Sequence, residues 1–198
     1  LTVHIGRSGF QETYDLAAKY RLYAQKENGF PVTIVGFNSV AINSELKEED
    51  YPNLKFENRL SYVAQVLISR KFSDKLSLEI APSVFHENTL RDILDENNAV
   101  ILPNPQDNTQ FAVGLGGRYK LTSRWSVNVD YAAHLNRASQ SNYKNPLSIG
   151  VDLETGGHVF QMHFTNAQAM HETGYLGQTV GDWSKGEIAF GFNLVRVF

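Results

Sequence analysis

The chain has 198 residues, a formal net charge of -3 and a mean hydropathy of -0.31, and it contains no cysteine. This length allows one domain with its own core. The small net charge offers no basic field for nucleic acid, and the lack of cysteine excludes disulfide scaffolds and thiolate metal sites. No apolar run approaches the ~20 residues that a membrane-spanning helix needs, a test that transmembrane barrels escape because their lipid-facing and lumen-facing residues alternate.

Most of the chain consists of runs in which apolar residues occupy every second position, which predicts β-strands. In chain order these runs cover residues 1–7, 14–25, 32–42, 60–69, 76–84, 111–120, 125–136, 147–153, 160–165 and 186–198. The run at 14–25 is longer than the ~5–6 residues of a usual soluble strand and reaches the ~9–11 of a membrane-spanning strand. The run at 32–42 is apolar on both faces, so its register is ambiguous. Pro82 removes one ladder donor, and we expect a bulge or local irregularity there.

The last run, GEIAFGFNLVRVF, places Ile188, Phe190, Phe192 and Leu194 on one face and ends on the aromatic Phe198. A C-terminal aromatic strand of this kind resembles the signal that the barrel-insertion machinery of bacterial outer membranes reads. Arg196 interrupts the apolar face, but near a strand end its side chain can extend to the headgroups. We therefore expect the chain to lie in a bilayer and to engage the insertion machinery through this strand.

The links between runs alternate between long and short when counted back from Phe198, except for the compact first link at 8–12. If the C-terminus is periplasmic, the short turns are periplasmic and the long loops are extracellular, as in outer-membrane barrels. The acidic cluster at 48–50 would then be a solvated outer surface. The sequence thus predicts a single domain, residues 1–198, that forms an all-β, antiparallel, up-and-down transmembrane β-barrel with about ten strands visible.

Four runs, IGRSGFQETYDLAAKYRL, SRKFSDKLSLEIAPSVFHEN, GVDLETGGHVFQMHFTNAQAM and GEIAFGFNLVRVF, resemble an uncharacterised family of Bacteroidota outer-membrane β-barrel proteins. The most specific piece is TGGHVFQMHFTN, at residues 155–166. The resemblance implies further strands before Leu1 and about twelve strands in the intact barrel. It implies no established activity.

The polar face of the strands would line the lumen. The candidate lumen-lining residues, as a pore or a plugging network, are Asp15, Lys19, Arg21, Glu79, Arg118, Lys120, Asp130, His134, Asp152, His163 and Glu187. Such side chains either pair with one another and brace the wall, or they form a selective passage for small solutes.

Aromatic residues near the strand ends suit the girdles that flank a bilayer. The candidate girdle residues are Tyr14, Tyr20, Tyr119, Trp125, Tyr131 and Phe198. The same aromatic residues would form the core of a soluble β-sandwich, so the direction in which they point separates the two interpretations.

The residue types for other chemistry are present without a supporting motif. His4, His134 and His163 lie on polar faces, but no metal-binding spacing joins them. Ser126 and Ser148, with His134, His163 and Asp152, contain the residue types of a catalytic triad, but no nucleophile elbow marks either serine. The sequence therefore assigns no catalytic residue, metal or cofactor.

The function that we expect is a narrow channel or a structural, accessory barrel for small solutes in the outer membrane of a Gram-negative bacterium. Its partners would be the lipid bilayer, the insertion machinery and other envelope proteins, with no nucleic acid. The alternatives are a barrel enzyme that acts on lipid or peptide, and a soluble lipocalin-like binder whose apolar face points inward.

Overall fold

The computed structural model describes residues 1–49, 51, 53–90, 93–94, 100–102 and 105–196. Ten strands form one antiparallel sheet in which each strand pairs with the next along the chain, apart from one inserted hairpin. The strands of this sheet are β1 Thr2–Arg7, β2 Tyr14–Tyr23, β3 Thr33–Ile42, β4 Leu60–Lys71, β5 Leu76–Glu87, β8 Thr109–Lys120, β9 Trp125–His134, β10 Leu147–Glu154, β11 His158–Thr165 and β12 Ala189–Arg196. The hairpin pairs β6, Ile93–Leu94, with β7, Val100–Leu102. The predicted all-β, up-and-down arrangement is confirmed.

Helical structure is sparse in the described part of the chain. It contains one α-helix, α1 (Glu172–Gly177), and three 3-10 turns, Phe10–Glu12, Phe56–Arg59 and Trp183–Lys185. In those ranges, no helix is both long and apolar enough to cross a bilayer.

The registers resolve the two local ambiguities of the sequence. In β3, the strand that is apolar on both faces, Ala41 pairs with Asp15 of β2 and with Ser61 of β4. Ala41 therefore shares a face with these two polar residues, and the register of β3 is defined. Around Pro82, the β4–β5 ladder passes from the pair Gln65–Ser83 directly to the pair Ile68–Ile80. The register is unchanged, so the predicted irregularity takes the form of missing ladder bonds and no bulge forms.

Cross-strand partners share one face of a sheet, so the registers define two continuous faces. One face carries buried small and apolar residues, among them Val63, Phe85 and Ala132. On the other face, Leu115 is 49% exposed and Phe192 is 53% exposed. Most of the large apolar side chains of the sheet, with exceptions such as Phe85, therefore point outward, and the lipocalin-like alternative, which needs an apolar interior, is wrong on this point.

The sheet curves around α1. This helix contacts β4, β5 and β9. Just beyond its end, the Gln178 side chain bonds both Gln11, which precedes β2, and Glu87, at the end of β5. One short segment touches strands far apart in the sheet order, so these strands must surround it.

Within the described residues, β1 pairs only with β2, and β12 pairs only with β11. The main sheet therefore has two free edges. Phe198, assigned from the sequence to the girdle and to the insertion signal, lies outside the described residues, as does Asp50 of the acidic cluster.

Candidate functional site: the lumen and its inserted segment

Residues 166–185, called here the inserted segment, fold into the concave side of the sheet. We expected this link to be an extracellular loop, and its side of the membrane stays a prediction, but its central part packs against the strands instead of extending away from them. Within it, Leu176 is 2% exposed. Its side chain lies in an apolar cluster with Val63, Phe85, Ala112 and Ala132, against which Tyr175 also packs. The cluster joins α1 to the wall of the lumen.

Hydrogen bonds fix the inserted segment to several strands. The Tyr175 hydroxyl donates to the Asp130 carboxylate on β9. The Thr173 and Ser61 hydroxyl oxygens are 3.0 Å apart, which ties α1 to β4. Arg137 Nη1 donates to the Gly177 carbonyl over 3.2 Å. Contacts on several sides restrict the segment far more than a single apolar patch would.

Asn166 organises the base of the segment. Its Nδ2 donates to the Gly181 carbonyl over 2.9 Å, and its Oδ1 accepts the Leu147 amide over 2.8 Å. Trp183 Nε1 donates to the Leu147 carbonyl over 3.0 Å. The two ends of the segment are thereby held together beside β10.

Burial shifts the pKa values of three side chains in the inserted segment. It lowers the pKa of His171, with the Asp15 carboxylate opposing that shift. It raises the pKa of Glu172, and burial together with the Asp130 carboxylate raises the pKa of Tyr175. Tyr175 is therefore a protonated donor to Asp130 at neutral pH, and the buried site favours neutral side chains.

Several lumen-lining candidates lie on the inner face and contact each other. Arg118 Nε donates to Ser126 Oγ over 2.9 Å and lies 3.7 Å from Asp152 Oδ2. Gln161 Nε2 donates to Asp152 Oδ1 over 3.2 Å. Between β1 and β2, Asp15 Oδ2 lies 3.3 Å from His4 Nε2. These pairs brace neighbouring strands.

The remaining candidates are more scattered. By register, Arg21 and Lys120 lie on the inner face toward the short turns. His134 is buried, with its ring centroid 5.3 Å from that of Phe85. Glu187 was placed on the last strand, and that placement is wrong because β12 begins at Ala189. Its carboxylate instead accepts the Asp182 amide at the base of the inserted segment.

A cavity of about 720 Å³ lies on the short-turn side of α1. Its wall includes Lys19, Glu79, Arg118, Asp130, Asp152 and Tyr175. A second cavity, of about 260 Å³, lies between α1 and the wall and shares Glu79, Asp130 and Tyr175 with the first. Tyr175 thus stands where the two spaces meet.

In the part of the chain that the structure describes, the candidate residues do not come together as a triad or a metal site. Within the described residues, neither ring nitrogen of His134 has a hydrogen-bond partner, and Ser148 Oγ bonds Thr165 rather than a histidine. The same part of the chain holds no group of three or more histidine, aspartate or glutamate side chains placed for a metal ion. His4, His134 and His163 stand on β1, β9 and β11 respectively.

The described girdle candidates lie on the outer face. Tyr14, Tyr20, Tyr119 and Trp125 are exposed there. Tyr131 is less exposed, and its hydroxyl accepts the Asn145 side-chain amide over 2.9 Å. A belt role for these residues stays a prediction.

The whole chain, residues 1–198, matches the family described as a membrane bound beta barrel domain (DUF5777). The comparisons with curated proteins and with solved structures returned no match. The outward apolar rows and the ten-stranded antiparallel sheet agree with this family. The chain belongs to the family of membrane-bound β-barrel domains.

Proposed function

We propose that the protein forms a narrow passage for small solutes and that the inserted segment holds the passage closed. The observation that carries this proposal is the burial of Leu176 in the apolar cluster on the lumen wall. A loop that served only as an outer surface would have no reason to bury a leucine and the helix that carries it among the strands. The braced pairs around Asp152 favour the second candidate, a structural barrel without transport, and conductance separates the two.

We further propose the outer membrane of a Gram-negative bacterium, of the Bacteroidota, as its location. Support comes from the alternation of short and long links and from the quoted resemblance. The bilayer and the insertion machinery are the proposed partners, the latter through the C-terminal strand. Other envelope proteins are candidate partners at the long loops.

The free edges of β1 and β12 bear on the strand count. Unpaired backbone groups are costly in hydrocarbon, several kcal/mol for each group. We propose that further strands pair with these two edges and close the wall around the lumen, consistent with about twelve strands.

A disulfide lock tests the closed-passage proposal. The hydroxyl oxygens of Ser61 and Thr173 are 3.0 Å apart, close enough for cysteines there to form a disulfide with small adjustments. The chain has no cysteine of its own, so the double variant Ser61→Cys with Thr173→Cys can form only one disulfide within a molecule, the one that joins these two positions. We expect the oxidised protein to show no openings in planar bilayers and the reduced protein to regain those of the wild type.

Each single cysteine variant controls for the substitutions and should not respond to oxidant. If the oxidised double variant conducts as the reduced one does, the inserted segment is not the gate. If neither form nor the wild type ever conducts, the structural barrel is the better account.

The two tryptophans report the orientation of the wall. Trp125 is exposed on the outer face, whereas Trp183 lies in the inserted segment with its indole N–H bonded to Leu147. In vesicles that contain brominated lipid, we expect the Trp183→Phe variant, which retains Trp125, to be quenched several-fold more strongly than the Trp125→Phe variant. Equal quenching of the two variants would contradict the placement of the Trp125 side chain on the lipid-facing outer surface.

A further inference from the structure

The cavity of about 720 Å³ has a volume within the usual range of small-ligand sites. Its charged side chains are not equally engaged. Arg118 and Asp152 lie 3.7 Å apart, and Asp152 also accepts Gln161. Asp130 accepts the Tyr175 hydroxyl. These groups are largely satisfied by the protein itself.

Two charged side chains of the wall, one of each sign, have no such partner in the described part of the chain. Within the described residues, neither Lys19 nor Glu79 makes a hydrogen bond or an ion pair, although an attraction between the two charges contributes to the electrostatics of Glu79. They stand on β2 and β5, with β3 and β4 between them in the sheet. The sheet thus holds an ammonium and a carboxylate apart, with two strands between them, in the wall of one cavity.

We propose that this cavity binds small zwitterionic solutes, with the solute's acid group at Lys19 and its ammonium group at Glu79. The proposal rests on the proposed passage and names the class of solute that it takes. A solute with both charges completes two charge-assisted interactions, whereas a solute with one charge leaves the opposite wall group unsatisfied. Side chains of Asn128 and Asn193, which also line the cavity, offer neutral hydrogen bonds to the rest of such a solute.

The test compares three probes of similar size: glycylglycine, which is zwitterionic, N-acetylglycine, an anion, and glycinamide, a cation. Calorimetric titration of the detergent-solubilised protein at low salt limits charge screening. We expect glycylglycine to bind at least about tenfold more tightly than either singly charged probe, as two charge-assisted bonds against one imply. Lys19→Gln and Glu79→Gln should each remove that advantage.

Arg70→Gln is the matched control, because it removes a positive charge whose guanidinium lies over the Phe72 ring, outside the cavity lining. It should bind glycylglycine as the wild type does. The exchanged pair, Lys19→Glu with Glu79→Lys, keeps both charges and should recover the preference for glycylglycine. Heat-modifiable gel mobility verifies that each variant is folded.

Equal affinity for the three probes, no saturable binding of any, or no recovery in the exchanged pair would overturn the inference. The outcomes also distinguish a failure of this inference from a failure of the proposed passage. If the disulfide lock controls conductance while glycylglycine does not bind, only the solute class is wrong. If glycylglycine binds as expected while the disulfide lock has no effect on conductance, the binding site is supported and the closure of the passage by the inserted segment is wrong.

Discussion

Replacing Leu176 with aspartate is expected to open the lumen. Truncating a buried leucine to alanine costs about 2–5 kcal/mol, and an unpaired carboxylate in the same apolar cluster costs more. Because 1.4 kcal/mol is a tenfold change in an equilibrium, the undocked fraction of the inserted segment should rise at least about tenfold. In planar bilayers, this should appear as a proportionate rise in open probability over the wild type.

Val180→Asp is the matched control for this variant. Val180 lies in the same inserted segment, but its side chain is exposed, so the added charge stays solvated. The control should conduct as the wild type does. Equal conductance of Leu176→Asp and the wild type, with the variant folded in the membrane, would mean that α1 does not close the passage.

Gly181→Ala is expected to loosen the base of the inserted segment. A Cβ at this position would lie 2.4 Å from the Glu187 carbonyl oxygen and 2.6 Å from that of Asn166. Both obstacles are backbone atoms, so relief requires the chain to shift and breaks the Asn166 bond to Gly181. We expect a loss of about 1–3 kcal/mol, the usual cost of overpacking, measured by denaturant unfolding in detergent.

Gly9→Ala provides the comparison for that measurement. A Cβ at Gly9 meets nothing within 4 Å. The backbone φ of Gly9 is -71°, which any residue adopts. Its unfolding midpoint should match that of the wild type, and equal effects of the two substitutions would contradict the packing assigned to Gly181.

The wall of the barrel could be predicted because alternation is a local signal. In β2 and β9, large apolar residues recur at nearly every second position, so the boundaries inferred from sequence fall within two residues of Tyr14–Tyr23 and Trp125–His134. Alternation alone does not say which face is inside. The strand lengths and the alternation of link lengths indicated a membrane barrel, whose apolar face points outward. The exposed side chain of Phe192 agrees with this orientation.

The inserted segment could not be predicted, since its helix is only Glu172–Gly177 and is too short to display a helical period. Its few apolar residues show no periodicity that would distinguish them from those of an exposed loop. What buries Leu176 is the space left by small residues such as Ala112 and Ala132, on strands distant in sequence. Glu187 was misplaced for a related reason: the connection between the inserted segment and the last strand includes it, so β12 begins later than the alternation indicates.

The central claim, that the inserted segment closes the lumen toward the long loops, is most directly tested by sided labelling. Asn128 lines the larger cavity, and Asn128→Cys gives a single thiol because the chain has no cysteine of its own. In vesicles of known orientation, an impermeant maleimide should label this cysteine from the short-turn side and not from the long-loop side. Adding Leu176→Asp should allow labelling from both sides. Equal labelling from both sides without Leu176→Asp would contradict the account.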